Sequence, residues 1–108
     1  MAKFLFSVTY SKDGLAGVLR EGGSGRAKAV ETLVDSVGGS VEALYWAFGE
    51  HDVILIADLP DALAAGALST RVAMSGAGSV ATTPLLTADD IDAIAARSQS
   101  VDYRAPGT

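Results

Sequence analysis

The chain contains no cysteine. That excludes disulfides, thiolate metal sites, iron–sulfur clusters and cysteine nucleophiles, and it fits a reducing compartment without requiring one. There is one histidine and one tryptophan among 108 residues. No pair of His or carboxylate side chains falls at ligand spacing on one predicted face, which argues against a transition-metal site within one copy. A site shared by two copies through two His51 rings stays open. Basic residues are few: eight Lys and Arg stand against thirteen Asp and Glu, for a net charge of −5. They are scattered from Lys3 to Arg104, whereas nucleic-acid binders gather such charge into a patch or stripe. No run approaches the roughly 20 apolar residues of a membrane helix. The opening MAKFLFSVTY is too short and too polar for a secretory signal. These absences lead us to expect a soluble, cytoplasmic protein with no cofactor and no nucleic-acid or membrane partner.

What is present is apolar for so small a chain: 49 % hydrophobic residues and 19 % charged. A chain of this length is one domain and buries roughly two-thirds of its unfolded surface. The remaining surface should demand more polar cover than this composition offers. Either part of it is hidden in an oligomer, or the many Ala and Gly inflate the hydrophobic fraction.

The pattern of residues sets the order of elements. KFLFSVTY, residues 3–10, alternates aromatic and β-branched types and predicts a strand. Phe4, Phe6, Val8 and Tyr10 share one face, and Lys3, Leu5, Ser7 and Thr9 the other. Residues 13–20 predict a short helix capped by Asp13, broken by EGGSG. Residues 24–37 predict a longer one, capped by Ser24, with Ala27, Val30, Val34 and Val37 on its apolar stripe and a Gly-Gly stop. Strands over 40–48 and 52–59 flank a turn at Gly49-Glu50. A helix runs from Asp61 to about Ser75, and a strand follows at 79–86. Pro84 has no N–H to donate, so that strand lies at a sheet edge or ends there. Thr87 and Asp90 form a capping box, with Asp in place of Glu, for a last helix to about Arg97; residues 98–108 are a tail. The order β-α-β-β-α-β-α predicts an α+β, ferredoxin-like four-stranded antiparallel sheet with helices on one face and an extra C-terminal helix.

The run Val53-Ile54-Leu55-Ile56-Ala57 is apolar without a break. Alternate side chains of a strand point to opposite faces, so both faces of this strand call for burial. Helices of this topology cover one. Either the last helix and tail cover the other, or a second copy does, sheet against sheet; the closed two-fold arrangement is the favoured expectation.

Four stretches carry a family resemblance: VTYSKDGLAGVLREGGSGR, GGSVEALYWAFGEHDVILIADLPD, SGAGSVATTPLLTADDIDA and VDYRAPG. Through them the chain resembles a GYD-domain protein, of the dimeric α/β-barrel superfamily, over essentially its whole length. The resemblance implies a ferredoxin-like protomer, a two-copy α/β barrel and no established reaction. The Gly-Tyr-Asp motif falls between the second and third strands, where Gly49 and Asp52 enclose Glu50-His51. His51 stands at the tyrosine place, so a role that needs a phenol does not carry over.

Candidate site residues cluster near that hairpin. His51 carries an imidazole, the side-chain type best suited to act as acid or base under physiological conditions. Asp52 is its neighbour, but neighbours in a strand point apart, and a carboxylate after a turn commonly accepts backbone N–H bonds instead. Trp46 and Tyr45 offer aromatic walls, and equally core or interface packing. Ser7 and Thr9 place hydroxyls on one face of a central strand, where they need partners or a wet cavity. GGSGR at 22–26 could hold an anion at a helix start, but lacks the Lys-Ser/Thr ending of a phosphate loop. The set Ser7, Thr9, Tyr45, Trp46, His51 and Asp52 predicts a small-molecule site without turnover. The alternatives are an isomerase- or oxygenase-like enzyme using His51, and a purely structural homo-oligomer.

Overall fold

The computed structural model describes residues 1–108. Its elements are β1 (Ala2–Tyr10), α1 (Lys12–Glu21), α2 (Gly23–Ser36), β2 (Ser40–Trp46), β3 (Val53–Leu59), α3 (Ala62–Met74), β4 (Gly78–Leu85) and α4 (Ala88–Ser98). The four strands form one antiparallel sheet in the order β2-β3-β1-β4. This is the ferredoxin-like α+β arrangement that the order of elements predicts. Strands β1 and β3 lie at the centre, and β4, which carries Pro84, is an edge.

Cross-strand register divides the sheet into two unlike faces. Phe4 pairs with Ala57, Phe6 with Leu55 and Val8 with Val53 on β3, while Leu44 pairs with Leu55 and Trp46 with Val53. These residues face the helices. With Val34 of α2 and Ala65 and Leu68 of α3 they make the core, in which Phe6, Leu59 and Val34 are the largest fully buried side chains. The other face carries Leu5, Ser7, Ile54, Ile56, Ala43 and Tyr45. Ser7 and Tyr45 both pair with Ile54, and Leu5 and Ala43 both pair with Ile56. No helix of the chain covers this face. Its apolar centre ends in a charged row where Lys3 Nζ sits 2.9 Å from Asp58 and 3.1 Å from Glu42. Hydrogen bonds to these two carboxylates, Asp58 first, raise the Lys3 pKa above its usual range.

Three local expectations are corrected. Ser11, not Asp13, caps α1: its Oγ accepts from the Gly14 N–H, and Asp13 sits in the first turn. Ser24 caps nothing, because α2 begins at Gly23 after Gly22, whose φ of 81° lets the chain reverse between the two helices. The β2–β3 connection spans Ala47 to Asp52 rather than a two-residue turn, and the left-handed residue in it is Phe48 (φ 54°), not Gly49. The Thr87–Asp90 capping box is formed in both directions, at 2.8 and 3.1 Å. The N–H bond from Thr87 holds the Asp90 carboxyl below its ordinary pKa.

Candidate functional site

The six candidate residues fall into four separate settings. Thr9 Oγ1 and His51 Nδ1 lie 3.3 Å apart at the end of the sheet. Which of them donates depends on the ring tautomer. Asp52 turns away from His51. Its Oδ2 accepts the Tyr10 backbone N–H at 2.8 Å while its own N–H donates to the Val8 carbonyl at 2.8 Å. The β1–β3 ladder is thereby extended by one side chain, which is the backbone-pinning role open to a carboxylate after a turn. Trp46 lies on the helix side and donates its Nε1–H to the Tyr10 hydroxyl at 3.0 Å. Ser7 and Tyr45 lie on the uncovered face; Ser7 is buried and Tyr45 is exposed.

Asp52→Ala is expected to lower stability by about 1–3 kcal/mol, because it strands the Tyr10 N–H beside a partly closed strand end. Asp52→Asn, which keeps an acceptor, should lose less. Urea unfolding of the two variants measures the difference, and equal losses would show that charge, not the hydrogen bond, matters here.

Two cavities border Tyr10, and none of the six candidate residues lines either. The first is an apolar pocket of about 70 Å3 between the sheet and the helices. Phe6, Val8, Leu44 and Val53 form its floor; Val30 and Leu33 of α2 and Leu68 and Val72 of α3 form its roof; Arg26 is its only charged residue. The second is a polar cleft of about 460 Å3 among α1, the start of α2 and the α3–β4 turn, lined by Asp13, Gly14, Gly17, Glu21 and Gly76. Tyr10, Arg26 and Ala77 belong to both. An apolar recess therefore adjoins a polar vestibule, with Tyr10, Arg26 and Ala77 lining both. Arg26 is held loosely, 3.5 Å from Glu21 and partly exposed.

In the sequence Tyr10 stands on the apolar face of the first strand and Arg26 ends GGSGR, but nothing in the local pattern joins them to Val30, Leu44 or Val72, each of which reads as ordinary core. Nowhere do three His, Cys, Asp or Glu side chains gather into a metal-binding group. No helix is long and apolar enough to cross a membrane.

Comparison with models of protein families matches the GYD domain over residues 4–95. No curated protein matches the chain, and no solved structure does.

Proposed function

The chain belongs to the GYD-domain family, and from that premise we propose that it binds a small amphipathic molecule without turning it over, and does so as a homodimer. The observation that carries the binding reading is the junction of apolar recess and polar vestibule at Tyr10 and Arg26. Ligand pockets have this composition, mostly apolar with a few placed polar groups. The ligand's apolar end would enter between Leu44, Val53 and Val72, and its polar end would meet Arg26 and the Tyr10 hydroxyl. Trp46 holds that hydroxyl from the hairpin side, so the β2–β3 hairpin contributes by positioning Tyr10.

The reading without turnover is supported by the hydrogen bonds of the titratable groups. Asp52 is committed to a backbone N–H, and His51 bonds a threonine hydroxyl rather than a carboxylate. No nucleophile, base and orienting group stand in sequence, as nucleophilic catalysis requires.

The two-copy reading is supported by the uncovered sheet face. Leu5, Ile54, Ile56, Ala43 and Tyr45 form a continuous apolar surface, and a self-complementary patch of this kind is hidden most simply by a second copy across a two-fold axis.

Titration of the native protein with butyrate and with butanol, followed by methyl NMR, tests the binding reading. Saturable shifts are expected at Leu44, Val53, Leu68 and Val72, and none at exposed Leu63. Arg26→Ala should weaken butyrate more than butanol. Shifts confined to exposed methyls would refute the site. A probe consumed on incubation, in a reaction abolished by His51→Ala, would refute the absence of turnover.

A further inference from the structure

Every residue of α4 and the tail is exposed. Ile91 and Ile94 form an apolar stripe at helical spacing and are 53 % and 45 % exposed; Val101 and Tyr103 of the tail are 67 % and 74 % exposed. An isolated helix of fewer than about 12–15 residues is marginal in water, and α4 has 11. Its capping box fixes where it starts, but supplies no packing.

The dimensions of the whole chain give the scale of what is missing. The radius of gyration is 17.1 Å and the long axis 58 Å, against about 13 Å for the radius of a compact chain of this length. The accessible surface is 7211 Å2, whereas a folded monomer of this mass should show about 5,600 Å2. The excess, roughly 1,600 Å2, is twice the approximately 800 Å2 per partner that a standard stable interface buries. A groove of about 520 Å3 lies where α4 leaves the sheet, between Ile94 and Arg97 on one side and Phe4, Pro84 and Leu85 on the other. Lys3, Asp58 and Leu85 also line or border it and belong to the uncovered sheet face. The groove and that face are one continuous surface.

We infer that α4 and residues 99–108 form an arm that wraps a second copy of this chain, with the margin of the partner's uncovered sheet face seated in the groove and Ile91, Ile94, Val101 and Tyr103 buried against it. The inference rests on the two-copy reading above and adds to it a distinct contact. In the two-fold arrangement each protomer gives one arm and receives one, so the excess surface of both is removed together. An arm laid back on its own sheet would need no partner, but every residue of α4 is exposed, so the helix is not packed on that face.

The test uses the full-length protein in sedimentation equilibrium. Wild type is expected to be dimeric at micromolar concentration. The double substitution Ile91→Asp, Ile94→Asp should raise the dimer dissociation constant about 100-fold or more, and Leu63→Asp, on the exposed side of α3, should leave it within threefold. Ile54→Asp tests the sheet contact separately. A wild-type monomer at 100-micromolar concentration, on the order of ordinary NMR samples, would overturn both readings. Unchanged dimerisation of the arm variant, with dimerisation lost in Ile54→Asp, would overturn the arm alone. A measurement that needs no variant settles any doubt about folding. In a dimer mixed from 13C-labelled and unlabelled chains, isotope-filtered NOEs from the Ile91 and Ile94 methyls to the other protomer are expected, and their absence would overturn the proposal.

Discussion

Phe6→Ala is expected to cost about 3–5 kcal/mol of stability, the range for truncating a buried aromatic. Phe6 is 1 % exposed, sits at the centre of β1 opposite Leu55, and packs at 6.4 Å, ring centre to ring centre, in a tilted pair with Phe4. Aromatic pairs of that geometry add about 0.5–1.5 kcal/mol beyond the area they bury. The rest of the core is poorly placed to compensate, since only ten residues of the chain are buried. A domain of this size has about 5–15 kcal/mol in total, so the variant should unfold at a much lower urea concentration and populate unfolded chain near body temperature. Leu63→Ala, at an 83 % exposed position, should change stability by about 0.5 kcal/mol or less. Phe6 also forms the floor of the apolar recess. If the variant is kept folded at low temperature, the enlarged recess should admit a longer apolar probe than butanol. A loss below about 1.5 kcal/mol would mean that α2 and α3 collapse into the vacated space, and the recess would then shrink rather than grow.

The strands were legible because their physics is local. Alternation in residues 3–10 placed Phe4, Phe6 and Val8 on one face, and the structure buries that face under α2 and α3. The unbroken apolar run of β3 calls for burial on both faces, and it splits into Val53, Leu55 and Ala57 toward the helices and Ile54 and Ile56 toward the bare face. Helix caps were less legible. Asp13 and Ser24 are both good capping residues, but the choice of Ser11 is made by tertiary contact: its hydroxyl donates to the Gly76 carbonyl at 2.8 Å while accepting from Gly14. The hairpin was missed in detail because Gly49 is the residue free to take positive φ, whereas the loop puts Phe48 there. The recess was not legible at all. It is assembled from six elements, and each of its aliphatic residues satisfies an ordinary core pattern, so only the folded chain shows a gap among them. The isolation of α4 was invisible for the opposite reason. An apolar stripe at helical spacing predicts that a helix packs on something, and says nothing about which chain supplies it.

Two glycines three residues apart on α1 are expected to respond to alanine with opposite signs. A glycine inside a helix costs roughly 0.5–1 kcal/mol relative to alanine, so each substitution begins with a gain of that size. Gly17 keeps the gain. The only atom near its added methyl would be the end of the Arg20 side chain, at 3.9 Å. Gly14 lies directly over the Ala77 backbone, and a methyl there would overlap the carbonyl oxygen, with the carbonyl carbon 2.8 Å away. Neither side of that contact can yield cheaply. The Ala77 carbonyl already accepts the Ser11 N–H at 2.8 Å, and the Ser11 hydroxyl bonds the Gly76 and Ala77 carbonyls at 2.8 and 3.1 Å. To relieve the overlap α1 must lift from the α3–β4 turn and break these bonds, each worth about 0.5–1.5 kcal/mol. Gly14→Ala should therefore destabilise by about 2 kcal/mol net, while Gly17→Ala stabilises by up to about 1 kcal/mol. Both residues line the polar vestibule, so lifting α1 should also widen it and loosen Arg26 on the facing helix. Parallel urea titrations of the two variants check the signs. If Gly14→Ala proves as stabilising as Gly17→Ala, the seam between α1 and the Gly76–Ala77 turn is slack, and the vestibule has no fixed wall on that side.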